Sequence, residues 1–316
     1  MKPILFQGSC VALVTPMRPD TTVDYAVLGE LIDWQIAQGT DALLLVGTTG
    51  EGSTLDDKEH MEIVKYAVHR AKGRVPVIAG AGSNNTAHAA YLSREAEKAG
   101  ADALLHVTPY YNKASQKGLL LHFQACAAAA RLPVLLYNVP SRTGVNILPE
   151  TYRALSEVDN IVAVKEAGGN LAQIAKTAAL CGDDLHIYSG NDDQVTALLA
   201  LGAKGVVSVL ANIAPQDTHR MCQTFFDGDL AESRRLQLYY QQLIEALFSD
   251  VNPIPVKQAL CDLGWKVGGC RLPLCDMDDK AHANLLETLE RYRLLPERAG
   301  ETVTVRLPVS FAKQGV

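Results

Sequence analysis

The side chain with the greatest reactive potential in the sequence is that of Lys165, which ends a short apolar run and precedes the turn at Gly168 and Gly169. An ammonium group at the end of a buried strand is costly unless it is paired or loses its proton. Because desolvation lowers the pKa of a lysine side chain, burial favours the neutral amine, which is the nucleophile that forms Schiff bases with carbonyl compounds. Most strand lysines instead reach solvent or pair with a carboxylate, here Glu166. The choice between these interpretations depends on the other polar residues.

The run before Lys165 predicts a strand, and side chains alternate between the two faces of a strand. We therefore expect Ile161 and Ala163 to share the face of Lys165. By the same alternation, Val162 and Val164 lie on the opposite face.

Four further residues of useful chemistry follow other apolar runs. Thr48 and Thr49 stand in a glycine-flanked turn, where free backbone N–H groups suit a carboxylate, although ordinary turn chemistry is the alternative. Tyr137 nearly ends a run, and a phenol beside an amine can relay protons to and from the carbinolamine that precedes a Schiff base. Its alternative is a core aromatic. Arg142 follows in a loop, where a guanidinium either clamps a carboxylate or is simply solvated.

Eight short apolar runs must position these residues, and they are almost continuously apolar, as strands buried on both faces should be. The runs are Cys10–Thr15, Ala42–Gly47, Val75–Gly80, Ala103–Thr108, Val134–Val139, Ile161–Lys165, Leu185–Ser189 and Gly205–Val209. Helical stretches between them are Tyr25–Gln38, Lys58–Ala71, Ala87–Ala99, Gln116–Ala130 and Leu171–Leu180. Eight successive strand–helix units predict an α/β fold, the (β/α)8 TIM barrel, whose active site lies at the carboxyl ends of the strands. A doubly wound open sheet is the alternative, but it usually has fewer strands and a clearer nucleotide loop.

The organisation outside the barrel follows from the same patterns. Thr54, with Asp57 three residues later, predicts a capping box at the second helix. Helical patterns continue beyond the eighth run, at Leu230–Phe248, Pro253–Leu263 and Asp278–Leu295. We therefore expect a barrel domain over 1–225, an appended C-terminal helical subdomain over 226–295, and a tail over 296–316 that is disordered or packs on a neighbouring subunit.

Composition excludes several classes of function. The 316 residues are 48% hydrophobic and 20% charged, with a formal net charge of −6, which gives no reason to expect nucleic acid or an anionic membrane as partner. No apolar run approaches membrane-spanning length and no signal core begins the chain, so we expect a cytoplasmic protein. Seven scattered cysteines without a CxxC pair favour free thiols, and the eight histidines lack metal-site spacing, so we expect no metal.

Four motifs together carry a specific resemblance. They are Gly47-Thr48-Thr49-Gly50-Glu51, Pro109-Tyr110-Tyr111-Asn112, Tyr137-Asn138-Val139-Pro140-Ser141-Arg142-Thr143 and Val164-Lys165-Glu166-Ala167. In this order and spacing the chain resembles the dihydrodipicolinate synthase / N-acetylneuraminate lyase family over roughly residues 4 to 295. The resemblance implies class I aldolase chemistry on pyruvate in a (β/α)8 barrel, with no added cofactor, because pyruvate forms its Schiff base with the protein.

The resemblance also assigns roles to individual residues. Lys165 matches the Schiff-base lysine and Tyr137 the proton-relaying tyrosine. Thr48 and Tyr111 complete the relay, with Tyr111 reaching into the site of a neighbouring subunit, and Thr49 helps to hold the pyruvate carboxylate. The positions whose backbone lines the site are matched by Gly190 and Val207. The family is typically a homotetramer built as a dimer of dimers.

Within the family, Arg142 decides between branches. The synthases carry this arginine, which binds the carboxylate of aspartate semialdehyde, whereas sialic-acid lyases usually lack it. We therefore expect the condensation of pyruvate with aspartate semialdehyde, which commits carbon to diaminopimelate and lysine. Two alternatives stay open: a pyruvate-dependent aldolase or dehydratase that acts on a keto-sugar acid, and a non-catalytic barrel that binds a keto acid as a sensor.

Some synthases of this family are inhibited by lysine at a dimer interface. Of the positions that match that pocket, three fit the pattern: His60, Asn84 and Tyr110. Four depart from the regulated enterobacterial pattern: Gly52, Ser53, Asp57 and His88. Because His88 replaces a glutamate that would pair with the lysine ammonium, we expect feedback inhibition to be weak or absent.

Overall fold

The computed structural model describes residues 2–296, which form a closed barrel of eight parallel strands in sequence order, with β8 paired to β1. The strands are β1 (Gly8–Ala12), β2 (Ala42–Leu45), β3 (Val77–Gly80), β4 (Ala103–Val107), β5 (Val134–Asn138), β6 (Ile161–Glu166), β7 (His186–Ser189) and β8 (Gly205–Ser208). Helices lie between successive strands, so the predicted (β/α)8 TIM barrel is confirmed. The tail over 297–316 lies outside the described residues.

The helices comprise the predicted segments and several others that no pattern indicated. They are α1 (Tyr25–Ala37), α2 (Asp57–Ala71), α3 (Thr86–Ala99), α4 (Gln116–Ala127), α5 (Pro140–Thr143), α6 (Pro149–Leu155), α7 (Leu171–Cys181), α8 (Val195–Ala200), α9 (Pro215–Phe226), α10 (Leu230–Tyr239), α11 (Gln241–Leu247), α12 (Ile254–Asp262) and α13 (Asp279–Arg291). The segment expected over Leu230–Phe248 is divided at Tyr240 into two helices. C-terminal helices are therefore present, as expected.

The capping box predicted at Thr54 is wrong. The N-cap of α2 is Asp56, whose carboxylate accepts the backbone N–H of Glu59 at 2.8 Å. Thr54 instead donates its hydroxyl to the carbonyl of Glu51 at 3.1 Å. A carboxylate and a hydroxyl both suit an N-cap, so the sequence alone left the position of the helix start ambiguous by two residues.

The predicted alternation along β6 is wrong at its beginning. Ile161 packs in the apolar layer between strands and helices, whereas Val162 and Ala163 both face the barrel interior. The pairing register of β5 and β6 shifts between Val134 and Leu135, and such an irregularity changes the face on which the following residues lie. Beyond the shift the alternation is regular, and Lys165 pairs with Tyr137 on the neighbouring strand.

The amino-terminal end of the barrel is closed by the first residues of the described chain. The ammonium of Lys2 donates to the carbonyls of Ser156, Val158 and Ile161 at 2.5–2.7 Å. The ring of Phe6 stacks on Tyr188 with centroids 4.2 Å apart, and the Tyr188 hydroxyl donates to the Phe6 carbonyl at 2.6 Å. The barrel therefore opens to solvent at its carboxyl end, where the predicted site residues lie.

Candidate active site

The structure brings Lys165 and Tyr137 together at the carboxyl ends of β6 and β5. They are cross-strand partners, and the lysine Nζ lies 4.3 Å from the centroid of the phenol ring. Lys165 is only 6% exposed, and within residues 2–296 it forms no ion pair. An amine that is dry and unpaired beside a phenol is suited to attack a carbonyl carbon and to exchange protons with its neighbour.

Glu166 does not neutralise Lys165, because its carboxylate is directed to other partners. It accepts the hydroxyl of Tyr152 at 2.9 Å, the amide of Asn138 at 3.0 Å and the backbone N–H of Gly168 at 2.7 Å. Burial raises the pKa of Glu166, against the lowering effect of these three donors. The ion pair that was the alternative interpretation of Lys165 is therefore not formed.

A cavity of about 380 Å³ opens at this end of the barrel. Thr48, Tyr137 and Arg142 line it, so three residues from separate loops and strands share one space. Arg142 is exposed on α5 and its Nη2 lies 3.5 Å from the carbonyl oxygen of Asn252. The exposed guanidinium of Arg142 and the phenol of Tyr137 thus line one cavity, and a guanidinium favours an anionic ligand.

The turn that carries Thr48 and Thr49 has an unusual backbone. Val46 and Glu51 have φ values of 51° and 56°, and a Cβ on Gly52 would lie 2.2 Å from the carbonyl oxygen of Val46, so only glycine fits there. The backbone N–H groups of Thr48 and Thr49 make no hydrogen bond with the described chain. The turn therefore presents two unused donors, as a carboxylate requires.

This turn is held from behind by a buried ion pair. The ammonium of Lys257, on α12, donates to Glu51 at 2.6 Å and to the carbonyls of Thr15 and Gly269 at 3.1 and 2.5 Å. The other carboxylate oxygen of Glu51 accepts the backbone N–H of Arg271 at 2.8 Å. Both side chains of the pair are almost completely inaccessible to solvent. Their charges are therefore compensated by each other and by the hydrogen bonds just described, and not by water.

Sequence reasoning missed this pair and the nearby Asn252, whose amide donates to the Thr49 hydroxyl at 3.0 Å. The partners lie about 200 residues apart, and the stretch from Pro253 reads only as a helix. No local signal in the sequence indicates such a contact.

The backbone that follows β7 approaches Lys165 closely. A Cβ on Gly190 would lie 3.0 and 3.1 Å from Cγ and Cε of Lys165, so the backbone here lies against the lysine stem. Val207 is buried within the barrel interior. Asp192 is fully buried and accepts the backbone N–H groups of Val209 and Leu210 at 2.9 Å. Burial raises the pKa of Asp192, and hydrogen bonds from Ser208, Leu210 and Val209 oppose this rise.

Tyr111 lies apart from the other predicted relay residues. Its side chain is 89% exposed and its backbone has a φ of 71°. Within residues 2–296, it makes no hydrogen bond with Tyr137 or Thr48. A role for Tyr111 therefore requires a second chain and stays a prediction.

Two of the three positions expected in a regulatory pocket line the same cavity, and the third contacts one of them. His60 and Tyr110 line it, and the Asn84 amide donates to the Tyr110 carbonyl at 3.2 Å. The His60 Nε2 lies 2.6 Å from the carbonyl oxygen of Gly80. Burial lowers the pKa of His60 below its ordinary value, so a neutral ring is favoured.

Two residues that depart from the regulated pattern contact each other in this cavity. The Nε2 atom of His88 lies 2.9 Å from Asp57, and its Nδ1 lies 3.3 Å from the hydroxyl of Ser83. Asp57 and His88 both line the cavity wall. The polar groups on this side are therefore already engaged with each other.

The wider molecule adds three observations. All seven cysteines are free. Across residues 2–296, no group of three or more His, Cys, Asp or Glu side chains is arranged to hold a metal ion. In the same part of the chain, no helix combines the length and apolarity needed to cross a membrane.

Comparisons with known proteins agree with this geometry. The model of the dihydrodipicolinate synthetase family matches residues 5–292. The 4-hydroxy-tetrahydrodipicolinate synthase of Acetivibrio thermocellus is 52% identical over 93% of this chain and all of its own length. The chloride-inhibited dihydrodipicolinate synthase of Acinetobacter baumannii, solved with pyruvate, superposes with a TM-score of 0.90 at 42% identity, over 92% of this chain and 99% of that one. A monomeric dihydrodipicolinate synthase variant superposes with a TM-score of 0.90 at 38% identity, over 92% and 98%.

Proposed function

The chain belongs to the dihydrodipicolinate synthetase family, and from this membership and the chemistry of the barrel mouth we infer that it is a 4-hydroxy-tetrahydrodipicolinate synthase. It is a lyase that condenses pyruvate with aspartate semialdehyde in lysine and diaminopimelate biosynthesis. The chemistry runs through a Schiff base between pyruvate and a lysine, without an added cofactor.

The observation that carries the assignment of the lysine is the setting of Lys165. It is buried and without an ion pair in the described chain, and its nitrogen lies 4.3 Å from the Tyr137 ring centroid. The neutral amine attacks the keto carbon of pyruvate, and the resulting carbinolamine loses water to give an iminium ion. Tyr137 carries protons between the carbinolamine oxygen and solvent. The ring face also stabilises the positive charge that the iminium retains.

The subsequent steps need a proton acceptor and an aldehyde. Tyr137, left as the phenolate after it has given its proton to the departing water, accepts a methyl proton, and this turns the iminium into an enamine. The enamine carbon attacks the aldehyde of aspartate semialdehyde and forms the new C–C bond, and the aldehyde oxygen takes the proton from Tyr137 to become the hydroxyl group. The amino group of the former semialdehyde then attacks the iminium carbon and displaces Lys165, which leaves as the free amine. This closes the ring of 4-hydroxy-tetrahydrodipicolinate.

The other site residues take roles that fit their positions. Thr49 and the free N–H groups of the turn bind the pyruvate carboxylate, and the backbone at Gly190 and Val207 shapes the space around the iminium. Thr48, on the cavity wall, passes protons onward from Tyr137. Tyr111 of a second copy completes this relay, a role supported by its extreme exposure.

Borohydride trapping tests the Schiff base directly. Incubation with pyruvate and borohydride should add a reduced pyruvate adduct to the wild-type chain and none to Lys165→Ala. Lys98→Ala, a change to an exposed lysine, is the matched control and should be labelled like the wild type. An adduct on Lys165→Ala, or none on the wild type, contradicts the assignment.

Arg142 is assigned to the carboxylate of aspartate semialdehyde, and a substrate panel tests this. Turnover with aspartate semialdehyde should far exceed turnover with keto-sugar acids. Arg142→Gln should raise the KM for the semialdehyde by about ten- to a hundredfold, because a charge-assisted hydrogen bond is lost, and leave the KM for pyruvate nearly unchanged. Equal effects on both KM values would remove Arg142 from the acceptor site.

We also propose a homotetramer, a dimer of dimers, located in the cytoplasm. The exposed Tyr111 supports a contact with another copy, and seven free thiols support a reducing compartment. Light scattering after size-exclusion chromatography measures the mass, and a monomer with full activity would contradict the role of Tyr111.

A further inference from the structure

The side chain of Asn252 has a single polar contact in the described chain, and that contact is with Thr49. Its Nδ2 donates to the Thr49 hydroxyl oxygen at 3.0 Å, while its Oδ1 is buried and has no partner within residues 2–296. An unpaired buried carbonyl is unfavourable for folding. Stability alone therefore does not explain an amide at this position, which suggests that its hydrogen bond to Thr49 serves the function of the protein.

The direction of this hydrogen bond fixes the hydroxyl of Thr49. An amide nitrogen only donates, so the Thr49 oxygen must accept, and the hydroxyl proton must point elsewhere. In the part of the chain that the structure describes, no acceptor receives that proton. The hydroxyl proton of Thr49 is therefore available to an anion, as are the backbone N–H groups of Thr48 and Thr49, which also lack an acceptor in the described chain.

The buried pair described above joins the two segments that carry Asn252 and Thr49. Asn252 lies two residues before the start of α12, and Lys257 on that helix is bound to Glu51, two residues after Thr49. Further donors and acceptors fix both ends, since Lys257 also binds Thr15 and Arg271 binds Glu51. The ionic network therefore holds α12 against the turn that carries Thr49, which favours a short distance between the amide and the hydroxyl.

We propose that Asn252 is a positioning residue for the reaction: by donating to the Thr49 oxygen, it directs the Thr49 proton toward the carboxylate of pyruvate. Because the Thr49 hydroxyl is already oriented before pyruvate binds, binding does not incur the entropy cost of fixing its rotation about the C–O bond. This inference rests on the proposed function, because it needs pyruvate at the turn. It adds a residue from the C-terminal helical region to the binding of the first substrate.

A double-mutant cycle on the full chain tests the proposal. Thr49→Val, which keeps the shape and removes the hydroxyl, should raise the KM for pyruvate about tenfold, and Asn252→Ala about fivefold. If Asn252 acts through the hydroxyl, Thr49→Val with Asn252→Ala should bind pyruvate no worse than Thr49→Val alone. Independent, multiplying effects would overturn the proposal. Asn284→Ala, the same change at an exposed asparagine of α13, is the matched control.

Asn252→Asp separates donation from acceptance. A carboxylate has the shape of the amide but accepts the Thr49 proton, so it should turn that proton away from the substrate and raise the KM for pyruvate more than Asn252→Ala does. A KM close to that of the wild type would show that Asn252 accepts rather than donates, and would overturn the proposal. Melting temperatures of all variants identify any loss that comes from misfolding.

The KM values also distinguish this role from a general distortion of the site. The hydrogen bond between Arg142 and Asn252 involves the backbone carbonyl of Asn252, so side-chain variants should leave the KM for aspartate semialdehyde unchanged. A parallel rise in both KM values would indicate a structural effect and contradict the proposal. Borohydride trapping of the wild type with pyruvate distinguishes failure of the proposed function from failure of the role of Asn252. If no adduct forms, the proposed function is wrong. If an adduct forms but the double-mutant cycle shows no coupling, only the role of Asn252 is wrong.

Discussion

Lys165 and Tyr137 face each other across β6 and β5, and the amine nitrogen lies 4.3 Å from the centre of the phenol ring. At this distance the ring is in contact with the amine and with any iminium that forms on it. The neighbouring carboxylate of Glu166 is hydrogen-bonded to Tyr152, Asn138 and Gly168. The phenol of Tyr137 is therefore the group that we expect to exchange protons with the lysine.

Tyr137→Phe should retain the ring contact and lose the proton relay. We expect turnover to fall by about 10²–10⁴-fold, the usual contribution of a positioned acid–base group. The pyruvate adduct should still be trapped by borohydride, but more slowly. Steady-state kinetics and mass spectrometry measure the two effects, with Tyr91→Phe on α3 as the control. Turnover within threefold of the wild type, about 0.7 kcal/mol, would show that the hydroxyl is not part of the relay.

Lys257→Met should destabilise the chain strongly, because it leaves the Glu51 carboxylate buried without its partner. The expected loss is about 3–5 kcal/mol in the free energy of unfolding. Adding Glu51→Gln should restore part of that loss. Urea denaturation measures the three variants, and Lys98→Met, which breaks an exposed pair, should cost less than about 1 kcal/mol. A similar small effect of Lys257→Met would mean that the pair is not essential to the fold.

Lysine should inhibit the wild type weakly or not at all below millimolar concentrations. The cavity wall offers an imidazole, His88, where an ammonium ligand needs a carboxylate, and the nearby Asp57 is engaged with that ring. His88→Glu should create a partner for the ammonium and increase sensitivity to lysine, whereas His69→Glu on the exposed surface should not. A lysine titration of activity checks this, and strong inhibition of the wild type would contradict it.

Acid should destabilise the protein through His106. This histidine is completely buried on β4, and burial lowers its pKa to about 3. The unfolded chain takes up a proton near pH 6.5 while the folded chain does not, so stability is lost as the pH falls below 6.5, by about 2 kcal/mol at pH 5. His106→Gln should therefore lose less stability between pH 7 and pH 5 than His69→Gln does. The midpoints of urea unfolding at the two pH values measure this difference. Identical slopes would contradict this assignment.

Much of the fold could be predicted because β strands buried on both faces leave a plain signal. The run expected over Ile161–Lys165 became β6 with one more residue, and Lys165 and Tyr137 were expected together since parallel neighbours share a carboxyl edge. The face of Ile161 was wrong, because a register shift depends on the partner strand and not on local alternation. Asn252 and the pair of Lys257 with Glu51 escaped detection, since contacts across some 200 positions leave no local pattern. The boundary between barrel and helical subdomain at 225/226 stays a prediction.

The Phe6 side chain and the Lys2 ammonium form the floor of the barrel. A chain shortened at its start would admit water from below, past Tyr188, and hydrate the interior in which Lys165 stands. A truncation or tag at this end would therefore change the hydration of the interior around Lys165, even though it lies at the end of the barrel opposite the substrates.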